Sequence, residues 1–461
     1  MNQKTTLHKQ EPFFNDNNKL LMSEVISAFS YALDLTEGQP AGHCIRCCWI
    51  GMHIGRKLEL DEEVMWELYY TLLLKDAGCS SNAARLCELY GGDDRSIKTD
   101  FKLVNGQNTT DIIRFVFEHA GVGESLGSRL KKLFVLATNG DELTNDLIST
   151  RCERGADIAR KLGFNENIAN GIRYLDEHWN GKGKPFQIKG NTIPIHSQIA
   201  LLSQVVDVYF SLGGQQAVFD EVSERSGSWF SPDLVNIVKS LTKDVDFWKE
   251  LSASDIDKTI LQLEPEGRVV YVNEVQLDNI TEAFGMVVDS KSPFTYNHSS
   301  RVALYSYSIA INMGLDEKRC RWLRRGALLH DIGKLGVSNA ILDKPDKLTD
   351  DEWNEVKNHA RYTIEILEHL APFSELSIVA GAHHERLDGK GYPYGISADQ
   401  IQLETRIITV ADIFDAITAD RPYRGPIPIE KSLQIMEGEV GTAIDKDCFE
   451  TLKAILPSLT E

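Results

Sequence analysis

Apolar residues recur at helical spacing along almost the whole chain, and few stretches alternate with the period of two that marks a half-buried strand. Val302, Ala303, Tyr305, Ile309 and Ala310 fall on one stripe, and Trp322, Leu323, Ala327 and Leu328 on another. Two stretches, 200–210 and 407–419, are continuously apolar and would suit a buried strand as well as a buried helix. Their length and the absence of turn residues inside them favour helix. The pattern predicts an all-α fold, with at most one small hairpin or loop pair at 181–195 and 389–403, where Gly and Pro cluster.

At 461 residues the chain is too long for one ordinary core. Ser223 to Ser231 is rich in Ser and Gly, Ser231-Pro232-Asp233 reads as a helix start, and a polar helical stretch runs on through Trp248. After Glu264-Pro265-Glu266-Gly267 a new apolar pattern begins near Leu277. These breaks predict a first domain at 19–228, a helical connecting segment at 229–275 and a second domain at 276–461. The polar start, 1–18, is expected to be a disordered tail.

A composition of 42% hydrophobic and 25% charged residues is that of an ordinary soluble globular protein. The net charge of −19, with no basic stripe to offset it, argues against a nucleic-acid polymer as partner. A small anionic substrate stays admissible where a metal or local cations meet it. No run of about 18 apolar residues exists, so no membrane span is expected. The first residues lack a basic region followed by an apolar core, so no secretory signal is expected and the predicted location is cytoplasmic. The eight cysteines follow no secreted framework and are expected to be reduced. Cys44, Cys47 and Cys48 sit in an apolar helical stretch and read as small buried thiols rather than a metal knuckle.

The chain repeats itself. Asn297-His298-Ser299-Ser300-Arg301 resembles Gly42-His43-Cys44-Ile45-Arg46, and 33 positions separate His298 from Asp331 as they separate His43 from Asp76. Glu385 through Pro393 (ERLDGKGYP) resembles Glu177 through Pro185 (EHWNGKGKP), and the match runs ungapped to Asp415 and Asp207. The two offsets, 255 and 208, differ by 47, so the first copy carries 47 extra residues between Cys79 and Arg151.

The second copy concentrates metal-binding side chains. His330-Asp331 ends the apolar helix WLRRGALLHD and enters Ile332-Gly333-Lys334; His298 lies upstream, and His359, His383-His384-Glu385 and Ala411-Asp412 follow. A lone His298 or His359 on an amphipathic helix is more often a surface or satisfied core residue, and a single His-Asp pair at a helix end arises by chance. Two adjacent imidazoles at 383 and 384 are harder to assign to packing. Mixed imidazole and carboxylate ligands suit iron, manganese or zinc, and a carboxylate such as Asp331 can bridge two ions. The histidines at 8, 53, 119, 178, 196 and 369 take the plain structural reading.

The ordered set HDIGK (330–334), His359, HHERLDGKGYP (383–393) and ADIFDAITADRPYR (411–424) resembles the HD-GYP family over roughly residues 280–450. The resemblance implies two tandem HD-type helical bundles joined by a helical linker, the second holding two or three metal ions, often iron or manganese. The implied ligands are His330, Asp331, His359, His383, His384 and Asp412; His298 matches a further histidine that ligates metal in some members. Members with a third metal carry a Glu four residues before that histidine. Phe294 stands there, so two divalent ions, iron or manganese, are expected. Two such cations lower the pKa of a bridging water and supply a hydroxide for in-line attack on a phosphodiester. Asp331 and Lys334 are expected to carry the chemistry, Lys334 by setting its ammonium against a non-bridging oxygen. The resemblance places Lys334, Asp415, Arg421 and Arg424 beside the substrate: arginine forks suit phosphate or guanine edges, and Asp415 can accept from a guanine. The plain alternative for the two arginines is a structural ion pair. The family's loop at Gly391-Tyr392-Pro393 is linked to substrate access and to docking of a protein partner.

Through the same alignment the first copy has lost its ligands. His330 becomes Lys75, His359 becomes Arg151, His383 becomes Leu175, His384 becomes Asp176 and Asp412 becomes Gln204, while His43 and Asp76 keep their types. Fixed cations replace metal charge, and Lys75 and Arg151 can pair with Asp76 and Asp176. The first copy is expected to be a non-catalytic HD domain serving ligand sensing, packing or homodimerisation. The leading reading is a phosphodiesterase that opens a cyclic dinucleotide to a linear one. Cyclic di-GMP is the family's usual substrate, and the tandem arrangement also resembles bacterial phosphodiesterases for 3′,3′-cyclic GMP-AMP. The alternatives are a receptor that binds a cyclic dinucleotide without hydrolysing it and signals through the first copy, and, ranked last, a mononucleotide phosphohydrolase.

Overall fold

A computed structural model describes residues 20–420 and 424–459. The expected polar tail and Arg421 lie outside these residues. Among the described residues there are helices and loops and no strand, as the apolar periodicity predicts. The stretch 200–210 is helical, and 407–419 is helical up to Thr418. The Gly- and Pro-rich segments form a loop pair, the second pinned by an isolated bridge between Asp388 and Ser397.

The first copy comprises α1 (Met22–Thr36), α2 (His43–Lys57), α3 (Glu62–Leu74), α4 (Ala83–Tyr90), α5 (Asp94–Phe101), α6 (Thr109–His119), α7 (Leu126–Lys161), α8 (Glu166–Arg173) and α9 (Ile195–Glu224). Three short helices follow: α10 (Pro232–Ser240), α11 (Val245–Leu251) and α12 (Ile256–Leu261). The second copy comprises α13 (Glu274–Asp289), α14 (His298–Asn312), α15 (Glu317–Leu329), α16 (Asn339–Leu342), α17 (Asp350–Glu368), α18 (Ser374–Gly381), α19 (Leu403–Thr418), α20 (Ile429–Glu437) and α21 (Lys446–Leu459).

Local signals recur at the repeat offsets. Asp61 caps α3 by accepting from the Val64 N–H, and Asp316 caps α15 by accepting from Arg319, 255 positions on. The Glu177 carboxylate accepts from the N–H groups of Phe186 and Gln187, and Glu385 accepts from Tyr394 and Gly395, 208 positions on. Gly78 and Gly333 each lie against the backbone of the next long helix, where a Cβ would overlap the carbonyl of Arg151 or His359.

The 47 inserted residues of the first copy form α4, α5, α6 and the first half of α7. They carry their own small core of Leu89, Tyr90, Ile97, Val104, Phe115 and Ala120. A second, much larger apolar core runs through both copies. Phe29 and Phe284, equivalent residues 255 positions apart, stack with ring centroids 4.1 Å apart. Equivalent residues that touch each other are the mark of a two-fold interface, here within one chain. Segment 229–275 is packed on the first copy: the Trp49 indole donates to the Phe247 carbonyl (3.2 Å) and the Tyr70 hydroxyl to Glu264 (2.6 Å). No helix among the described residues is long and apolar enough to cross a membrane. Cys44, Cys47 and Cys48 are buried free thiols on α2.

Candidate metal centre

Five helices deliver the histidines and carboxylates of the second copy to one buried place. His330 and Asp331 end α15 where it tightens into a short 3-10 turn, Ile332–Gly336. That turn is tied to α17 by Thr363, whose hydroxyl donates to the His330 carbonyl (2.9 Å) and accepts from Gly333 N–H (3.0 Å). His359 lies on α17, His383 and His384 follow α18, Asp412 and Asp415 lie on α19, and His298 opens α14.

The Asp331 carboxylate sits at the middle and faces two ways. Its Oδ2 is 3.3 Å from Nε2 of His298 and 3.3 Å from Nε2 of His330. Its Oδ1 is 3.5 Å from Nε2 of His359 and 3.7 Å from Nε2 of His383. Asp412 Oδ1 closes the first side at 3.3 Å from His298 and 3.8 Å from His330. His359, His383 and His384 form a compact ligand group on the other side, and His298, His330 and Asp412 form one on the first.

The ring tautomers are fixed from outside the cluster. Nδ1 of His330, His359 and His383 donates to the carbonyl three residues back, Ala327 (2.7 Å), Val356 (2.5 Å) and Ala380 (2.6 Å). Nδ1 of His298 donates to Asp415 Oδ2 (2.7 Å). A carbonyl or carboxylate can only accept, so each of these rings carries a proton on its outer Nδ1 and turns Nε2, the nitrogen left for a metal, inward. Nε2 of His298, Nε2 of His330 and Oδ1 of Asp331 are buried with no hydrogen-bond partner. Buried polar atoms left unpaired call for a ligand, and imidazole nitrogens with carboxylate oxygens suit divalent transition metals.

Electrostatics agree with that donor set. Burial, with neighbouring histidines, pushes His384 down to about 3 and holds His383 well below the usual imidazole range. Burial also takes His359 to about 4. These three rings are neutral and available as ligands. For His330 burial acts in the same direction, but Asp331 and Asp412 beside it outweigh it and raise the ring to about 9. Acidic oxygens drawn around that ring would draw a metal cation equally.

The expected substrate-facing residues divide. Lys334 donates to Asp331 Oδ2 (2.5 Å) and also lines a cavity of about 190 Å³ with Phe294, Leu342, Leu348 and Val356. Asp415 departs from expectation: it is buried, and both its oxygens are taken, by His298 and by the Arg301 guanidinium (2.5 and 3.0 Å). It orients a histidine and has no free edge for a guanine. Arg424 departs too. Its guanidinium donates to the carbonyls of Ala416 (2.7 Å) and Ile417 (2.9 Å) and so closes the C-terminal end of α19. Arg301 was not singled out from sequence, although its counterpart Arg46 repeats the same bond to Asp207 (2.6 Å), and that pairing was present in the internal repeat.

In the first copy the Lys75 ammonium stands where the first ligand group lies in the second. It bonds Asp76 and lies 3.0 Å from His43 Nε2 and 3.3 Å from Gln204 Oε1, the counterparts of Asp331, His298 and Asp412. Arg151 bonds Asp176, the counterparts of His359 and His384. Two other donor groups occur in this copy, His43-Cys47-Asp207 and Glu37-Asp76-Cys79. Their carboxylates are already matched, Asp207 by His43 and Arg46, Asp76 by Lys75, and Glu37 by Lys102.

Comparison with known proteins agrees with the repeat. The HD domain family model matches residues 83–208 and again 282–448. The chain is 51% identical over 444 residues to the 3′3′-cGAMP-specific phosphodiesterase 3 of Vibrio cholerae, covering 96% of both proteins. It is 34% identical over 187 residues to a cyclic di-GMP phosphodiesterase of Thermotoga maritima, covering 40% of this chain and 51% of that protein. A crystal structure of a cyclic GMP-AMP specific phosphodiesterase of V. cholerae matches with a TM-score of 0.66 and 46% identity, covering 95% of this chain and 98% of that one. The chain belongs to the HD domain family, as a tandem member whose second copy carries the HD-GYP motifs.

Proposed function

We propose that the protein is a metal-dependent phosphodiesterase that hydrolyses a cyclic dinucleotide in its second copy, with 3′,3′-cyclic GMP-AMP as the first substrate to test and cyclic di-GMP as the second. The observation that carries this reading is the two-sided Asp331 carboxylate, with the unpartnered nitrogens of His298 and His330 on one face and the nitrogens of His359 and His383 on the other. His298, His330 and Asp412 would hold one ion, His359, His383 and His384 the other, and Asp331 would serve both. Iron or manganese suits this mixed donor set. When bound, the pair activates a water and offsets the charge that gathers on the phosphate.

The remaining steps belong to the chain. Lys334, held at Asp331 and open to the neighbouring cavity, donates to a non-bridging phosphate oxygen. The cavity beyond it, walled by Phe294, Leu342, Leu348 and Val356, receives a nucleobase next to the scissile phosphate. Asp415 and the backbone carbonyls of Ala327, Val356 and Ala380 keep the rings aimed, so little reorganises during the reaction.

The preference for 3′,3′-cyclic GMP-AMP rests on the relative that matches over 96% of the chain, named for that substrate. The name of that relative also supports turnover over a receptor that binds without hydrolysis. A net charge of −19 suits an enzyme for a small nucleotide better than one for a nucleic-acid polymer. The test is to supply iron or manganese to purified protein and assay both cyclic dinucleotides side by side. Conversion to a linear dinucleotide is expected; binding without conversion would instead support the receptor.

A further inference from the structure

In the catalytic copy the cleft beside the metal ligands is left for substrate; in the first copy the 47-residue insert covers the matching place. Helices α4 to α7 lie over the degenerate site and line a partly open cavity of about 90 Å³ between the insert's small core and Arg151. Three aromatic rings, Tyr90, Phe101 and Phe115, line it together with three cations, Lys98, Lys102 and Arg151, and one carboxylate, Glu37. The insert is tied down beyond the cavity, where Gln107 bonds His178 (3.1 Å) and Asn180 (2.9 Å) of the first copy's loop.

The donors of this cavity are not used up. The Lys102 side chain is 6% exposed and its ammonium pairs with Glu37 at 3.1 Å without the alignment of a hydrogen bond. The Arg151 guanidinium bonds Asp176 through one of its two terminal nitrogens. Lys98 donates to the Thr36 carbonyl (2.9 Å). A buried ammonium outside hydrogen-bonding alignment, and three cations against one lining carboxylate, set beside apolar rings, suit an oxyanion attached to an apolar body. One water occupies about 10–15 Å³ on this measure, so the space suits about six to nine non-hydrogen atoms.

Helix α5 joins this cavity to the catalytic copy. Its later residues, Ile97, Lys98 and Phe101, with Lys102 at its end, line the cavity. Its first residues grip the segment that follows the catalytic lysine. Asp94 accepts from the Asn339 N–H (2.9 Å) and lies 3.6 Å from the Lys291 ammonium, and Arg95 donates to the Gly336 carbonyl. Gly336 is two residues beyond Lys334.

We propose that the first copy is a binding site for a small organic anion, a carboxylate on a ring or short apolar body, and that α5 transmits its occupancy to residues 334–339 of the catalytic copy. Any ligand that holds α5 by its cavity face must also hold the residues its other end grips, because an eight-residue helix moves as one piece.

The probe is sodium benzoate on the full, metal-loaded chain, followed by saturation-transfer difference NMR, with inorganic phosphate as the second arm. Saturable benzoate binding is expected, weakened about tenfold or more by Lys102→Met and kept by Lys102→Arg. Phe101→Glu, at a half-exposed wall position, is the second variant. It sets a carboxylate against the probe without opening the core and is expected to abolish binding while the metal content stays unchanged. Benzoate is also expected to slow amide hydrogen exchange at 334–339. No saturable binding, equal binding by Lys102→Met and wild type, or binding of phosphate alone would overturn the site. Binding with unchanged exchange at 334–339 would overturn the relay.

Discussion

His298 Nδ1 lies 2.7 Å from Asp415 Oδ2, across 117 residues of chain, and that bond decides which nitrogen of the ring faces the cluster. Asp415→Asn should keep the fold and weaken the aim. The outer partner of a ligating histidine typically contributes 10- to 100-fold in metal affinity or activity. Hydrolysis by Asp415→Asn is expected to fall by about that factor, with weaker metal retention under a chelator. Asp207→Asn makes the same change in the first copy and should leave metal content untouched, which separates a role at the metal from one in packing.

Phe294 walls the cavity beside Lys334. Base-on-ring stacking is worth about 1–3 kcal/mol. Phe294→Ala is therefore expected to raise KM for the cyclic dinucleotide about tenfold, with little change in kcat and an unchanged metal count. A fall in kcat with KM preserved would place Phe294 outside the substrate's path.

Lys75 is a fixed cation buried against Asp76. Removing one member of such a pair strands the other and costs about 3–5 kcal/mol. Lys75→Met should lower the denaturant midpoint accordingly while hydrolysis per folded molecule persists. Unchanged stability would mean that Asp76 is not held as an unpaired carboxylate.

His43 is buried and held neutral, pushed down to about 4 by burial and then by Lys75 and Lys102. The unfolded chain takes up this proton near the ordinary imidazole value of about 6.5, and the folded chain refuses it down to about 4. The stability tied to His43 is present above about pH 6.5 and is lost as pH falls toward 4, by up to about 3 kcal/mol. Denaturant unfolding at pH 7 and pH 5 should show this loss, and His43→Gln should show less of it.

Much of the fold was legible because helical periodicity and the internal repeat act locally along the chain. The offsets from His43 to His298 and from Glu177 to Glu385 predicted paired helices and loops, and the structure has them. Residue types near the cluster were also legible, since His330, Asp331, His359, His383, His384 and Asp412 stand in motifs. Side-chain direction was not. Asp415 and Arg424 lie in the expected stretch, but one is spent on His298 and Arg301 and the other on the carbonyls ending α19. Such bonds depend on how α14 meets α19 and on how the chain turns after Thr418, and neither leaves a trace in spacing. The insert was visible as 47 extra residues. Its position over the degenerate site became visible only once α5 and α7 were placed in space.

The most direct test is metal stoichiometry joined to turnover. Protein purified without oxygen should contain two iron or manganese ions per chain and hydrolyse 3′,3′-cyclic GMP-AMP. Asp331→Ala, which removes the one carboxylate facing both ligand groups, should lose the ions and the activity together. A variant that keeps both ions, or that hydrolyses at the wild-type rate, would contradict the shared-carboxylate centre.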